Sequence, residues 1–71
     1  MDKVINQRIG ARIKEYRMRR NWTITKLAGQ TQLSKSLISQ LENAKNSASL
    51  MTLSKIARRL RIRVADLVQD L

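Results

Sequence analysis

Apolar residues recur along this chain at intervals of three and four, the spacing that lines one face of a helix. Ile9, Ile13 and Tyr16 form the first such stripe, which predicts a helix capped at Asp2 or Asn6 and running to about Arg20. Arg8, Arg12, Lys14, Arg19 and Arg20 fall mostly off the stripe, and the last two suit the negative end of the helix dipole. Asn21-Trp22 breaks the pattern, and Trp22, between apolar stripes, reads as a core plug rather than a base-stacking residue. Thr23 can cap a second helix from Ile24 to about Gln30, with Leu27 and Ala28 facing inward and free N–H groups at its start suited to a phosphate. Gln30-Thr31-Gln32 then turns the chain, and Leu33 returns to the core.

The next stretch, Ser34 to Asn43, predicts a short helix with two unlike sides. Ser34 caps it, and Ile38 and Leu41 share the inward side. Lys35, Ser36, Ser39, Gln40 and Asn43 occupy the other side, which carries no acid. Such a face suits base-pair edges, because a Gln amide can bond adenine at two atoms and Lys can donate to guanine. It equally suits water, and the decapeptide alone does not separate the two. Two short helices joined by a tight turn, the second with a polar face, make a helix-turn-helix and favour the nucleic-acid reading. Asn43 to Ser49 predicts a loop whose Asn43, Lys45 and Asn46 are good phosphate ligands if it faces a duplex. Ser49 then caps a fourth helix, Leu50 to Leu60, with an apolar stripe of Leu50, Leu53, Ile56, Ala57 and Leu60. Arg61-Ile62-Arg63 turns into a short fifth helix, about Val64 to Leu71, whose Leu67, Val68 and Leu71 either finish the core or supply a dimer contact.

Composition narrows the chemistry. The 71 residues suffice for one small domain with a modest core, spanning 1–71. Cys and His are absent, which removes disulfides, Cys/His metal sites and the usual nucleophile–His pairs. Asp2, Glu15, Glu42, Asp66 and Asp70 are scattered without metal-site spacing, so neither a metal, a cofactor nor an enzyme such as a small nuclease is expected. No apolar run approaches a membrane span and no signal-peptide segment opens the chain, so the expected location is cytoplasmic. Fifteen Lys and Arg against five Asp and Glu leave a net charge of +10, which favours a polyanionic partner through counterion release. Membrane surfaces and acidic proteins compete for that role.

In order and spacing, several pieces resemble the Cro/XRE-type helix-turn-helix family of phage repressor-like domains. They are Ile9-Gly10-Ala11-Arg12-Ile13-Lys14-Glu15-Tyr16-Arg17, Leu27-Ala28, Leu33 through Asn43, and Ser49-Leu50 through Leu53 with Lys55-Ile56-Ala57 and Leu60. The resemblance spans about residues 9–67. It implies an all-α fold of five helices, with the helix-turn-helix in helices 2 and 3 and helix 3 in the major groove. Carried onto this chain, it makes Lys35, Ser36 and Gln40 base-reading, with Ser39 close by, while Leu37 suits either a thymine methyl or partial packing. Thr23, Asn43, Lys45 and Asn46 become phosphate contacts, and Arg17 and Glu42 a structural ion pair.

The chain also departs from that pattern. Ile24 stands where many phage repressors have a Gln that braces the recognition helix, and Ala48 replaces a frequent Pro. Gln32, Ala44 and Arg61 occupy positions where the family usually has Gly. If their backbones keep positive φ, each costs roughly 1 kcal/mol; otherwise the turns have changed shape. The resemblance implies a sequence-specific double-stranded DNA-binding transcriptional regulator, a repressor, acting as a homodimer on a near-palindromic operator. The alternative is a protein-interaction module such as an antitoxin or adaptor, using apolar residues of helix 5 or the basic surface near Arg58, Arg59, Arg61 and Arg63 to hold a protein partner.

Overall fold

The computed structural model describes residues 2–69. The side chain of Asp2, the expected first cap, lies outside the described residues, as do Asp70 and Leu71. Five helices follow in order: α1 Asp2–Arg19, α2 Ile24–Thr31, α3 Lys35–Glu42, α4 Leu50–Leu60 and α5 Val64–Val68, with no strand among the described residues. None of these helices is long and apolar enough to cross a membrane.

Local chemistry sets the starts. Thr23, Ser34 and Ser49 each stand in extended backbone and accept a hydrogen bond from an N–H three residues on, Lys26, Leu37 and Thr52 respectively. At α5 the Asp66 carboxylate accepts from the Arg63 N–H at 2.8 Å. That backbone hydrogen bond, with help from the nearby guanidinium, holds the Asp66 carboxyl below its ordinary range. Asn6 is not a cap: α1 already begins at Asp2, so Asn6 lies inside the helix.

The ends of α1 to α4 share one device. Asn21, Gln32, Ala44 and Arg61 each follow a helix at φ 57–59°. The next N–H then bonds back five residues: Trp22 to Arg17, Leu33 to Ala28, Lys45 to Gln40, and Ile62 to Ala57. This is the Schellman closure, normally built on Gly. The three Gly-replacing positions have kept the left-handed turn, so the turns have not changed shape. The residues that follow three of these turns, Trp22, Leu33 and Ile62, are half-buried and pack onto the core.

Ile13, Leu27, Ile38, Ile56 and Leu67 are fully buried, joined by Ala28, Leu41, Leu53, Ala57 and Leu60. Ile9, Tyr16 and Trp22 flank this core as partly buried residues. Helix α1 packs on α3, α4 and α5, while α2 packs on α3 and α4. Leu67 at zero exposure shows that α5 completes the core. One residue of the expected α4 stripe lies outside: Leu50 is 71% exposed, beside Met51 at 74%. Spacing gives the inward side of a helix but not how far the facing layer extends, and here burial begins at Leu53.

Gly10 sets the approach of α1 to α3. A Cβ built there would sit 2.3 Å from the Leu41 carbonyl oxygen and 2.8 Å from that of Glu42. Only glycine permits this contact between a helix flank and a helix end.

Candidate nucleic-acid interface

Helix α3 is held by its inward residues, and that fixes what it shows outside. With Ile38 and Leu41 buried, Lys35, Ser36 and Gln40 are exposed, while Ser39 and Leu37 are half-buried. Leu37 packs against the core, so its partial-packing reading describes the structure. Ile24, in the place of the bracing Gln, also packs against the core.

The end of α3 is locked by the one acid between residues 16 and 65. Arg17 donates Nε to Glu42 Oε2 at 2.7 Å and a terminal nitrogen to Oε1 at 3.1 Å. The third Arg17 nitrogen donates to the Trp22 carbonyl at 2.7 Å. The Glu42 side chain is only 4% exposed. This two-pronged pair ties α1, the following turn and α3 together and fixes geometry. It also turns the only nearby carboxylate away from the outer face of α3, leaving Lys35 and Lys45 with no acid beside them in sequence.

The loop after α3 joins this face through a chain of polar contacts. Asn6 donates Nδ2 to Ser47 Oγ at 2.9 Å, the Ser47 N–H donates to Asn46 Oδ1 at 2.9 Å, and Asn46 Nδ2 reaches Gln40 Oε1 at 3.5 Å. Loop residues Lys45, Asn46 and Ser47 are exposed. Gln40 keeps its amide N–H groups and one lone pair for an incoming partner. Asn43 spends its amide on the Ser39 carbonyl at 2.8 Å and approaches the Ser39 hydroxyl at 3.4 Å, which closes the end of α3 and holds Ser39. Thr23 stands on another element, where its oxygen caps α2 and its hydroxyl proton stays available. Asn6, read from the sequence only as a helix cap, and Ser47, which the sequence did not single out, position Gln40 through the loop. Their separation of 41 residues leaves no local signal that would pair them.

Among the described residues no group of three acidic side chains could hold a metal ion. The face offers hydrogen-bond donors and acceptors beside cations, and that suits binding.

A family model described as helix-turn-helix, HTH_3, matches residues 13–67. Among solved structures, an HTH_3 family transcriptional regulator from Vibrio cholerae superposes with TM-score 0.90 at 27% identity, over 94% of this chain and 38% of that one. The restriction-modification controller protein C.AhdI from Aeromonas hydrophila gives TM-score 0.85 at 26% identity, over 87% of this chain and 94% of that one. The clp gene regulator ClgR from Corynebacterium glutamicum gives 0.85 at 25%, over 89% and 67%. The chain therefore spans well under half the length of the Vibrio regulator and nearly all of the Aeromonas controller. Comparison with curated proteins finds no match.

Proposed function

The chain belongs to the HTH_3 family of helix-turn-helix proteins, and from that premise we propose that it is a sequence-specific double-stranded DNA-binding transcriptional regulator, a repressor, that lays α3 in the major groove. The observation that carries this reading is the outer face of α3: Lys35, Ser36 and Gln40 stand exposed, while Glu42 is folded inward onto Arg17. An inward carboxylate cannot repel phosphate, and the exposed trio matches the donors and acceptors of base edges. In this reading Lys35, Ser36 and Gln40 read bases with Ser39 at the margin. Thr23, Lys45 and Asn46 meet phosphates, and Asn43 contributes chiefly by closing α3. One neighbour named as a transcriptional regulator and another as a clp gene regulator support the regulatory part of this reading.

Two copies act together on a near-palindromic operator. One domain presents few base contacts, and a longest dimension of 30 Å lets two sit side by side on half-sites about 34–36 Å apart. The work is done on cytoplasmic DNA with no cofactor. Selection of bound sequences from a random duplex library tests the proposal. The expected result is an enriched near-palindrome with fixed half-site spacing, bound with a steep salt dependence. Recovery of unenriched sequences would overturn it.

A further inference from the structure

Away from the outer face of α3, the structure contains a second basic feature. Two adjoining hollows of about 340 and 290 Å³ lie along α4, and both are lined by Gln30, Arg58 and Arg59. They form one trench between α2 and α4, with Lys55 and Met51 toward one end and Arg61 and Arg20 toward the other. No acidic side chain lines either hollow. The described ion pairs of this chain all lie elsewhere, at Arg17–Glu42, Arg19–Glu15 and Arg63–Asp66. Five cations thus face one concavity with no described carboxylate among them.

We infer that this trench docks an acidic, extended segment of a partner protein. Length fits: Met51 to Arg59 covers about 12 Å of helix axis, which matches roughly four extended residues. Charge fits, since carboxylates would complement guanidinium groups that can bind them at two points. Chemistry separates a peptide from nucleic acid. Met51 lines the trench and is 74% exposed, and a peptide can bring an apolar side chain to cover it where a nucleic-acid backbone presents chiefly charged phosphates. Single-stranded nucleic acid would need an open aromatic face. The one indole here, Trp22, already has the Arg20 cation 4.9 Å and the Lys26 cation 5.9 Å from its ring centre. A second copy of this chain is unsuited, because at +10 it brings chiefly more cations.

The test uses a short capped peptide of glutamates around one leucine, titrated against the emission of Trp22, the only tryptophan. A mixed-sequence duplex is titrated in parallel by gel shift. Two double variants, Arg58→Ser with Arg59→Ser and Lys35→Ser with Lys45→Ser, remove equal charge from exposed positions and leave the core untouched. The trench variant is expected to lose about tenfold in peptide affinity and less than about twofold in duplex affinity, and the α3-side variant the reverse. Equal loss of peptide binding in both variants would reduce the trench to general polyanion attraction and overturn the inference. So would a trench variant that loses duplex binding as strongly as peptide binding, which would assign the trench to nucleic acid. If the α3-side variant leaves the duplex unaffected, it is the α3 reading that fails.

Discussion

Alanine at Gly10 and alanine at Gly29 are the same chemical change inside two helices, and the structure assigns them opposite signs. At Gly29 a Cβ meets nothing within 4 Å, so the substitution adds only helix propensity, about 1 kcal/mol. At Gly10 the same methyl lands 2.3 Å from the Leu41 carbonyl oxygen, where ordinary contact begins at 3.4 Å. The difference, 3.4 − 2.3 = 1.1 Å, is the separation that α1 and α3 must open. The atoms met are all backbone, so no rotamer change relieves the clash. Overpacking of this kind costs about 3 kcal/mol at the upper end of its usual range. Against the propensity gain, the net loss is about 2 kcal/mol. For a domain of this size that lowers Tm by roughly 8–16 °C, while Gly29→Ala raises it by roughly 4–8 °C. Thermal unfolding by circular dichroism reads both. The Gly10 variant is also expected to bind its operator more weakly than its stability loss explains, because the end of α3 shifts. A Gly10→Ala protein as stable as its parent would refute the account of how α1 seats α3.

The left-handed helix ends give a graded series. Ala44→Gly and Gln32→Gly are expected to stabilise by about 0.5–1 kcal/mol each, read by urea unfolding, while Asn21→Gly gains little because Asn tolerates this region. Equal effects at Asn21 and Ala44 would contradict the strain argument. The Arg17–Glu42 pair predicts that Glu42→Ala costs about 3 kcal/mol, since it strands a guanidinium that is nearly buried. The double variant Arg17→Met with Glu42→Leu should recover most of that loss, and a double variant no better than the single one would show that the pair's charge is not what matters.

Features written in short-range chemistry were legible from the sequence. Thr23, Ser34 and Ser49 cap as expected because a hydroxyl reaching an N–H three residues on needs no other part of the chain. The inward sides of α1, α3 and α4 followed from spacing, and the left-handed turns at Gln32, Ala44 and Arg61 were visible as a question that only the backbone answered. Tertiary features were not legible. Leu50 belongs to the stripe by spacing yet projects outward, because the stripe cannot say where its facing layer stops. Gly10 looks like an ordinary helix residue until α3 is laid against it. The link from Asn6 through Ser47 and Asn46 to Gln40 depends on a contact across 41 residues. Asn43, read as a phosphate ligand by residue type, also closes α3 with its amide on the Ser39 carbonyl, a local contact that residue type alone did not indicate.

The central claim is that Gln40 reads a base while Lys45 meets phosphate, and one comparison of affinities tests it most directly. Parent, Gln40→Ala and Lys45→Ala are titrated against the selected operator and its single-base-pair variants at several salt concentrations. Gln40→Ala is expected to lose about 1–3 kcal/mol of discrimination at one base pair per half-site and keep its salt slope. Lys45→Ala is expected to weaken every sequence alike and flatten the slope by about one unit for each phosphate it no longer neutralises. Two variants that weaken all sequences equally, with the base preferences of the parent intact, would contradict the assignment.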